Sequence, residues 1–173
     1  MLKTILLLVV AVVAIVLIYA AMQPDTFSVA RTTRINAPAD KIFPLIDDLK
    51  AMNAWNPFVK DDPKTQLTYG GPARGVGATS TFGGGSAGSG KVAIVESTPS
   101  NHVVMQLDMD QPFETHNRVA FSLVPNGGGT DVTWGMSGRQ SYVHKLLHTV
   151  VGARMIRNSF DRGLADLKAM AEK

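Results

Sequence analysis

One glycine-rich stretch matches part of a nucleotide-binding motif. Residues 85–91, Gly-Ser-Ala-Gly-Ser-Gly-Lys, fit the first seven positions of the phosphate-binding loop. The eighth position is Val92, which lacks the hydroxyl that would hold magnesium. The lysine of such a loop also opens a helix, whereas residues 91–95, Lys-Val-Ala-Ile-Val, are typical of a strand. We therefore interpret the stretch as a hairpin loop and predict no nucleotide site.

Histidines supply the next possible chemistry. His144 and His148 are four residues apart, so both imidazoles would lie on one side of a helix and could share a zinc ion. A zinc site needs a third ligand, and no glutamate stands between these histidines as in the HExxH pattern. We interpret them as polar residues at the edge of an apolar stripe and predict no metal. His102 and His116 are single histidines at strand starts, where a structural or exposed role is expected.

A carboxylate–histidine group lies near residue 110. Asp108 and Asp110 share one face of a predicted strand, and Glu114 and His116 follow just beyond it. Such a pair could run acid–base chemistry on an enolisable ketide. The opposite face of that strand is apolar and is the better core-facing side; it consists of Val103, Met105, Leu107 and Met109. We therefore predict that the two aspartates face solvent, and we predict no catalytic residue.

The elements that would position these residues are organised around the C-terminal segment, Ser141–Lys173. Its apolar residues recur at steps of one, three or four, which is the spacing of one helical stripe, and charged residues fall mostly between them. An amphipathic helix must bury its stripe against a partner, and the large partner here is a sheet. The sequence thus predicts an α+β fold with the helix across one face of an antiparallel sheet.

The upstream segment, from about residue 27, is predicted to form short strands and turns. A first strand runs from Phe27 to Ile35, and Ala37-Pro38 then opens a helix that Pro44 should kink. A second short turn or helix covers residues 51–55, and residues 126–129, Asn-Gly-Gly-Gly, form a hairpin loop. The remaining predicted strands are Gln66–Tyr69, Ala78–Phe82, Lys91–Glu96, His102–Asp110, Thr115–Val124 and Thr130–Ser137.

Composition restricts the possible partners. Residues 26–173 suit one domain that can bury a core without disulfides, and the chain has no cysteine. The net charge is +3, and the segment from Arg139 onward carries seven Lys/Arg against three Asp/Glu. These positive charges alternate with Asp161 and Asp166, which is typical of a solvated helix face. Because no basic run is interleaved with aromatic residues, we predict no nucleic-acid partner.

The N-terminal segment, residues 1–25, is predicted to be a single transmembrane anchor. Residues 5–22 contain no charge, and as a helix they would span about 27 Å, close to the roughly 30 Å core of a bilayer. The run is longer than a signal-peptide core, and Ala20-Ala21-Met22 is a poor cleavage site. Lys3 favours a cytoplasmic N-terminus with the domain outside, although Arg31 and Arg34 weaken that orientation.

Several segments resemble the SRPBCC superfamily, and its polyketide cyclase/dehydrase-like branch most of all. The resemblance begins with residues 34–43, Arg-Ile-Asn-Ala-Pro-Ala-Asp-Lys-Ile-Phe, and with Trp55-Asn56-Pro57-Phe58. It continues through residues 75–78, 129–134 and 160–168, and so covers nearly the whole chain after residue 26. It implies a helix-grip (START-like) fold, in which a curved antiparallel sheet wraps the C-terminal helix around a cavity for an apolar ligand.

Alternation along the strands gives the residues that would face this helix. An adaptable apolar pocket would suit a chain with eight methionines, but an ordinary filled core would show the same periodicity. Three of the aromatic residues, Trp55, Phe58 and Phe82, are expected at the mouth. The predicted ligand-binding residues are Trp55, Phe58, Phe82, Val92, Ile94, Met105, Leu107, Phe121, Leu123, Trp134, Met136 and Phe160.

Three functional hypotheses follow. The first is a membrane-tethered domain that binds a lipid-, quinone- or polyketide-like molecule without chemistry and without a cofactor. The second is a cyclase/dehydrase-type enzyme, which would need an acid–base pair inside the cavity drawn from Glu96, Arg118 or His116. The third is an envelope interaction protein with a filled core. An apolar void would favour the binding domain. A void with converging titratable groups would favour the enzyme, and the absence of a void would favour the interaction protein.

Overall fold

A computed structural model describes residues 2–22, 24–86, 88–139 and 153–173. The strands are β1 (Thr26–Ile35), β2 (Gln66–Gly70), β3 (Thr79–Gly85), β4 (Gly88–Thr98), β5 (His102–Gln111), β6 (Thr115–Asn126) and β7 (Gly129–Arg139). The described helices are α1 (Leu2–Met22), α2 (Ala39–Ile42), α3 (Pro44–Asp47), α4 (Leu49–Trp55), α5 (Pro57–Lys60) and α6 (Ala153–Ala171). The order of elements agrees with the α+β prediction.

The strands form one seven-stranded sheet in the order β1-β7-β6-β5-β4-β3-β2. Every neighbouring pair is antiparallel, so β2 to β7 form a meander and β1 closes onto β7 at the edge. The predicted Asn-Gly-Gly-Gly loop is the turn between β6 and β7. Gly127 and Gly128 have φ values of +50° and +83°, which favour glycine at both positions of a two-residue hairpin turn.

The short helices between β1 and β2 are set by proline and by side-chain caps. Pro44 cannot donate a backbone hydrogen bond, and the predicted kink is a break between α2 and α3. The carboxylate of Asp48 caps α4 by accepting from the Lys50 amide nitrogen at 2.8 Å. Asn56 caps α5 in the same way, by accepting from the Phe58 nitrogen at 3.2 Å. The break and the caps let the chain turn sharply between four short helices.

Helix α6 lies against the inner face of the sheet through one stripe. Phe160, Leu164, Leu167 and Ala171 follow the 4-3-4 spacing of that stripe and are at most 1% exposed. Gly163 lets the helix approach closely, because a Cβ there would lie 2.7 Å from the Trp134 ring. The start of the predicted helix, with His144, His148 and the break expected near Gly152, lies outside the described residues. The described part confirms a helix-grip α+β fold.

The N-terminal segment is helical from Leu2 to Met22, and its large apolar side chains are exposed. Leu7 and Ile15, for example, are 69% and 65% exposed. Judged over the described residues, no helix combines the length and the apolar character that crossing a bilayer requires. The predicted transmembrane span is therefore not supported, although the predicted helix is present.

Candidate functional site

A cavity of about 420 Å³ lies between the inner face of the sheet and the first turns of α6. Its size is within the range of small-molecule sites, about 300–1,000 Å³. The described side chains that line it are all uncharged, and most are apolar. They are Met52, Asn53, Asn56, Phe58, Val59, Leu67, Ser80, Phe82, Ser86, Val92, Met105, Leu107, Met109, Pro112, Asn117, Val119, Phe121, Trp134, Met136, Met155, Ile156 and Phe160.

The cavity occupies one end of the sheet, which the strand register defines. We call it the open end, where Thr26 of β1 lies beside Arg139 of β7 and Ser89 of β4 lies beside Gln111 of β5. The lining residues Ser86 and Pro112 belong to turns at this end. The opposite, closed end contains Ile35 beside Thr130 and Asn126 beside Gly129, and it is covered by α2, α3 and the last turns of α6.

Nine of the twelve predicted ligand-binding residues line the cavity. They are Phe58, Phe82, Val92, Met105, Leu107, Phe121, Trp134, Met136 and Phe160. Because alternation places every second residue of a strand on the inner face, these positions follow directly from the strand pattern. That they bind a ligand stays a prediction.

The other three predicted residues, Trp55, Ile94 and Leu123, do not line the cavity but lie in the filled core, each at most 2% exposed. Ile94 and Leu123 are on the inner face, but they lie toward the closed end, where helices fill the space. Trp55 was expected at the mouth, and that prediction is wrong. Its indole nitrogen donates to the Leu45 carbonyl at 2.8 Å, which fixes the ring beneath the short helices.

An aromatic cluster forms the inner wall of the cavity. The Trp134 ring stacks on Phe160 with a centroid distance of 4.1 Å and on Phe121 at 5.2 Å. Trp55 and Phe58 meet it edge-on at 5.5 and 6.4 Å. Flat, closely packed rings of this kind give a rigid apolar wall. The Trp134 indole nitrogen is sealed by this packing and has no hydrogen-bond partner in the described part of the chain.

A small polar group lies on the opposite wall, between α4 and β3. The Asn53 side-chain nitrogen donates to Ser80 Oγ at 3.3 Å and to Tyr69 Oη at 3.2 Å. Asn53 and Ser80 are 8% and 3% exposed, so this is a buried polar contact in an otherwise apolar lining. A third polar side chain, Asn117, lies nearer the open end and donates to Thr115 Oγ1 at 3.1 Å.

Sequence reasoning missed thirteen lining residues, for two different reasons. Met109 and Val119 were predicted to face inward but were not included among the ligand-binding residues, and Asn117 shares their face. The polar residues Asn53 and Ser80 have no apolar signal, and only the structure brings them to the cavity. The remaining lining residues that were not predicted are Met52, Asn56, Val59, Leu67, Ser86, Pro112, Met155 and Ile156.

The possible acid–base residues lie outside the cavity. His116 Nδ1 donates to Asp108 Oδ1 at 2.7 Å, and these side chains are 67% and 42% exposed on the outer face of the sheet. This hydrogen bond raises the pKa of His116 and lowers the pKa of Asp108. Arg118 and Glu96 form a second exposed pair at 3.0 Å. The prediction that Asp108 faces solvent agrees with this placement.

Two other predicted absences can be compared with the described residues. Lys91 is in the middle of β4, paired with Thr81 and Asp108, as expected for a strand and unlike a phosphate-binding lysine. The glycine-rich stretch forms the hairpin between β3 and β4, where Gly85 pairs with Gly88. In the described ranges no three of His, Asp and Glu are grouped to hold a metal ion, and His144 and His148 fall outside those ranges.

The fold and the cavity define a helix-grip domain with an internal apolar site, and comparison with known proteins agrees. Residues 26–172 match the family model described as polyketide cyclase / dehydrase and lipid transport. The chain belongs to this family. A search of curated proteins finds no match.

Three solved structures share the fold at low sequence identity. A protein from Chromobacterium violaceum is 16% identical with a TM-score of 0.61, and the match covers 87% of this chain and 99% of that one. The Aha1 dimer from Colwellia psychrerythraea is 17% identical with a TM-score of 0.61, covering 84% and 96%. A protein from Thermobifida fusca is 23% identical with a TM-score of 0.62, covering 83% and 92%. At these identities the likeness concerns the fold alone.

Proposed function

We propose that this protein binds a hydrophobic small molecule, such as a lipid, quinone or polyketide, in the cavity beneath α6. The observation that carries the proposal is a void of about 420 Å³ whose described lining is uncharged and mostly apolar. Protein cores normally pack as densely as organic crystals, so a space of this size is unusual for a purely structural core. An apolar ligand would restore the lost contacts and remove the lining from water.

The composition of the lining favours an adaptable site. Met52, Met105, Met109, Met136 and Met155 surround the void, and the unbranched, polarisable thioether side chain fills irregular spaces with little strain. The stacked aromatic cluster beside them supplies a fixed surface. A site that combines rigid rings with adaptable side chains suits a flat or ring-containing molecule.

The same proposal includes attachment of the domain to a membrane through α1, with the domain outside the cytoplasm. The exposed apolar side chains of α1 support attachment, and Lys3 ahead of them supports this orientation. Helix α1 ends at Met22 and β1 begins at Thr26, which is at the open end of the sheet. A membrane that held α1 would therefore lie near the mouth of the cavity, where hydrophobic ligands partition.

The cavity proposal predicts that the full-length protein, purified from its own host, carries a stoichiometric hydrophobic molecule. Native mass spectrometry would detect the complex, and solvent extraction would identify what is bound. The variant Val92→Trp should lose the bound molecule, because the larger side chain fills the cavity. The matched control is Val124→Trp, since Val124 is 55% exposed and far from the cavity; this variant should keep it.

A folded protein that came out empty, and stayed empty when offered a lipid extract, would contradict ligand binding. Loss of the ligand from both tryptophan variants would also contradict the site, because only one substitution is in the cavity. If a bound ketide were recovered in chemically altered form, the cyclase/dehydrase hypothesis would replace simple binding.

The membrane proposal predicts that the full-length protein stays in the membrane pellet after alkaline carbonate washing. Placing charges in the middle of α1, for example Ile15→Asp together with Leu8→Asp, should release it, because burying a charge in the bilayer is costly. The same double substitution should leave the fraction of protein that carries the ligand unchanged. Recovery of the unmodified chain in the carbonate supernatant would refute the tether.

A further inference from the structure

Two polar side chains on the cavity wall each retain an unused hydrogen-bonding position. Asn53 donates through its amide nitrogen to both Ser80 and Tyr69, and neither hydrogen bond uses its amide oxygen. Ser80 Oγ accepts from Asn53, and this hydrogen bond does not use the hydroxyl hydrogen of Ser80. No hydrogen bond within the described part of the chain uses either position. Both residues line the cavity and are more than nine-tenths buried.

The hydrogen bond between Asn53 and Ser80 is too weak to explain why these two polar side chains are buried. The distances from the Asn53 nitrogen to Ser80 Oγ, 3.3 Å, and to Tyr69 Oη, 3.2 Å, are both longer than the usual 2.9–3.0 Å of an N–H···O hydrogen bond. Trp55, two residues further along α4, already fixes this helix through its 2.8 Å bond to Leu45. Buried polar groups are normally satisfied, and these two line a space that a ligand can fill.

The other polar groups near this cavity provide a contrast. Ser86 also lines the cavity, but its hydroxyl donates to the Asp62 carboxylate at 2.7 Å and is used up. The Asn56 side-chain oxygen caps α5. The Asn117 side-chain oxygen and the Trp134 indole nitrogen also lack partners, but they lie four register positions apart on β6 and β7. At Asn53 and Ser80, by contrast, a hydrogen bond joins the two side chains that carry the unused donor and the unused acceptor.

We propose that Asn53 and Ser80 hold an uncharged hydroxyl group of the ligand, so that the ligand is a hydrophobic alcohol or phenol. This inference rests on the proposed binding function and specifies the ligand class. A hydroxyl both donates and accepts, so it pairs with the Asn53 oxygen and with the Ser80 hydroxyl together. It pairs equally well if the amide is turned by 180°, because nitrogen and oxygen then exchange roles.

A charged group fits this position poorly. The described lining is uncharged, so a carboxylate or an ammonium group beside Asn53 would be removed from water without an opposite charge. A plain hydrocarbon would leave the two positions unpaired. A neutral hydroxyl avoids both costs, with the rest of the molecule against the methionines and the aromatic wall.

The test compares 2-naphthol with 2-methylnaphthalene, which differ by a hydroxyl in place of a methyl group. Methyl NMR of the full-length chain in detergent micelles, with its methionines isotopically labelled, reports occupancy through Met52 and Met105, which line the cavity. Partition into the micelle is the same for wild type and variants, so it cancels when their affinities are compared. Ser80→Ala removes the free hydroxyl, and Ser122→Ala is the matched control, because Ser122 is exposed on the outer face of β6 and is not among the residues that line the cavity.

Ser80→Ala should weaken 2-naphthol about two- to tenfold, the effect of one hydrogen bond, and should change 2-methylnaphthalene by less than about twofold. Ser122→Ala should leave both affinities within about twofold of wild type. A purely structural role of Ser80 would weaken both compounds alike, and that result would overturn the inference while binding stands. If neither compound binds the wild-type protein, the binding function itself fails.

Discussion

The two ends of the inner face of the sheet have the same strands and the same apolar alternation but differ in what covers them. At the closed end Ile35, Val103, Leu123 and Val132 are at most 2% exposed, because α2, α3 and the last turns of α6 pack on them. At the open end, comparable side chains such as Leu107 are only partly buried and line a void. An apolar strand pattern therefore specifies which face of the sheet points inward, but not whether other side chains fill the space beside that face.

The difference follows from where the helices are placed. The short helices α2 and α3 come directly after β1, and so they cover the end of the sheet at which β1 finishes. Lys168 Nζ donates to the Arg34 carbonyl at 2.9 Å, and the Asn36 amide donates to Glu172 at 2.7 Å. These contacts hold the end of α6 on the closed end. Toward the open end, α4 and α5 border the cavity through Met52 and Phe58 and leave the space beside β5 and β6 unfilled.

The largest expected effect compares one leucine from each end. Leu123→Ala at the closed end should lower the free energy of unfolding by about 2–5 kcal/mol, because it leaves a cavity in a filled core. Leu107→Ala at the open end should cost only about 1 kcal/mol, because its side chain already borders a void and is partly exposed. Chemical denaturation of the two full-length variants in the same detergent measures the difference.

This pair also provides its own control, because both substitutions remove the same atoms from strands that face the same helix. Equal losses of stability would show that the open end is packed as tightly as the closed end, and the distinction between the two ends would be lost. A bound ligand should narrow the gap, since it would give Leu107 the contacts that it lacks when the cavity is empty.

Much of the fold could be predicted because its signals are local. The strand alternation, the break at Pro44 and the glycine turn at 127–128 depend on residues close in sequence, and the structure agrees with each. The C-terminal stripe likewise specified which face of α6 is buried, as Phe160 and Leu164 show. These features need no knowledge of what packs against them.

The cavity could be predicted only in part, because its boundary depends on distant elements. Leu123 and Leu107 have equivalent positions in the alternation, and only the placement of α2, α3 and the end of α6 decides that one is core and the other is cavity wall. The polar group was missed for a related reason. Asn53 on a short helix and Ser80 on a strand are 27 positions apart, and neither sequence segment indicates that the other is its neighbour.

The smallest expected effect concerns what stabilises the open end, where the outer face carries the Asp108–His116 pair between β5 and β6. The hydrogen bond to Asp108 raises the pKa of His116 above 6.5, so its stabilising contribution is complete below pH 6.5 and is lost as the pH rises through the raised value. The pKa of Asp108 is lowered from 3.8, mainly by the same bond, so its contribution is complete above pH 3.8 and is lost as the pH falls through the lowered value. Both contributions are therefore present between pH 3.8 and 6.5.

An NMR titration of the His116 ring should have a midpoint above 6.5. This midpoint should fall in Asp108→Asn, and it should fall less in Glu114→Gln, because Glu114 acts on His116 only through its charge. An unchanged midpoint in Asp108→Asn would remove this pair from the contacts that hold the open end together.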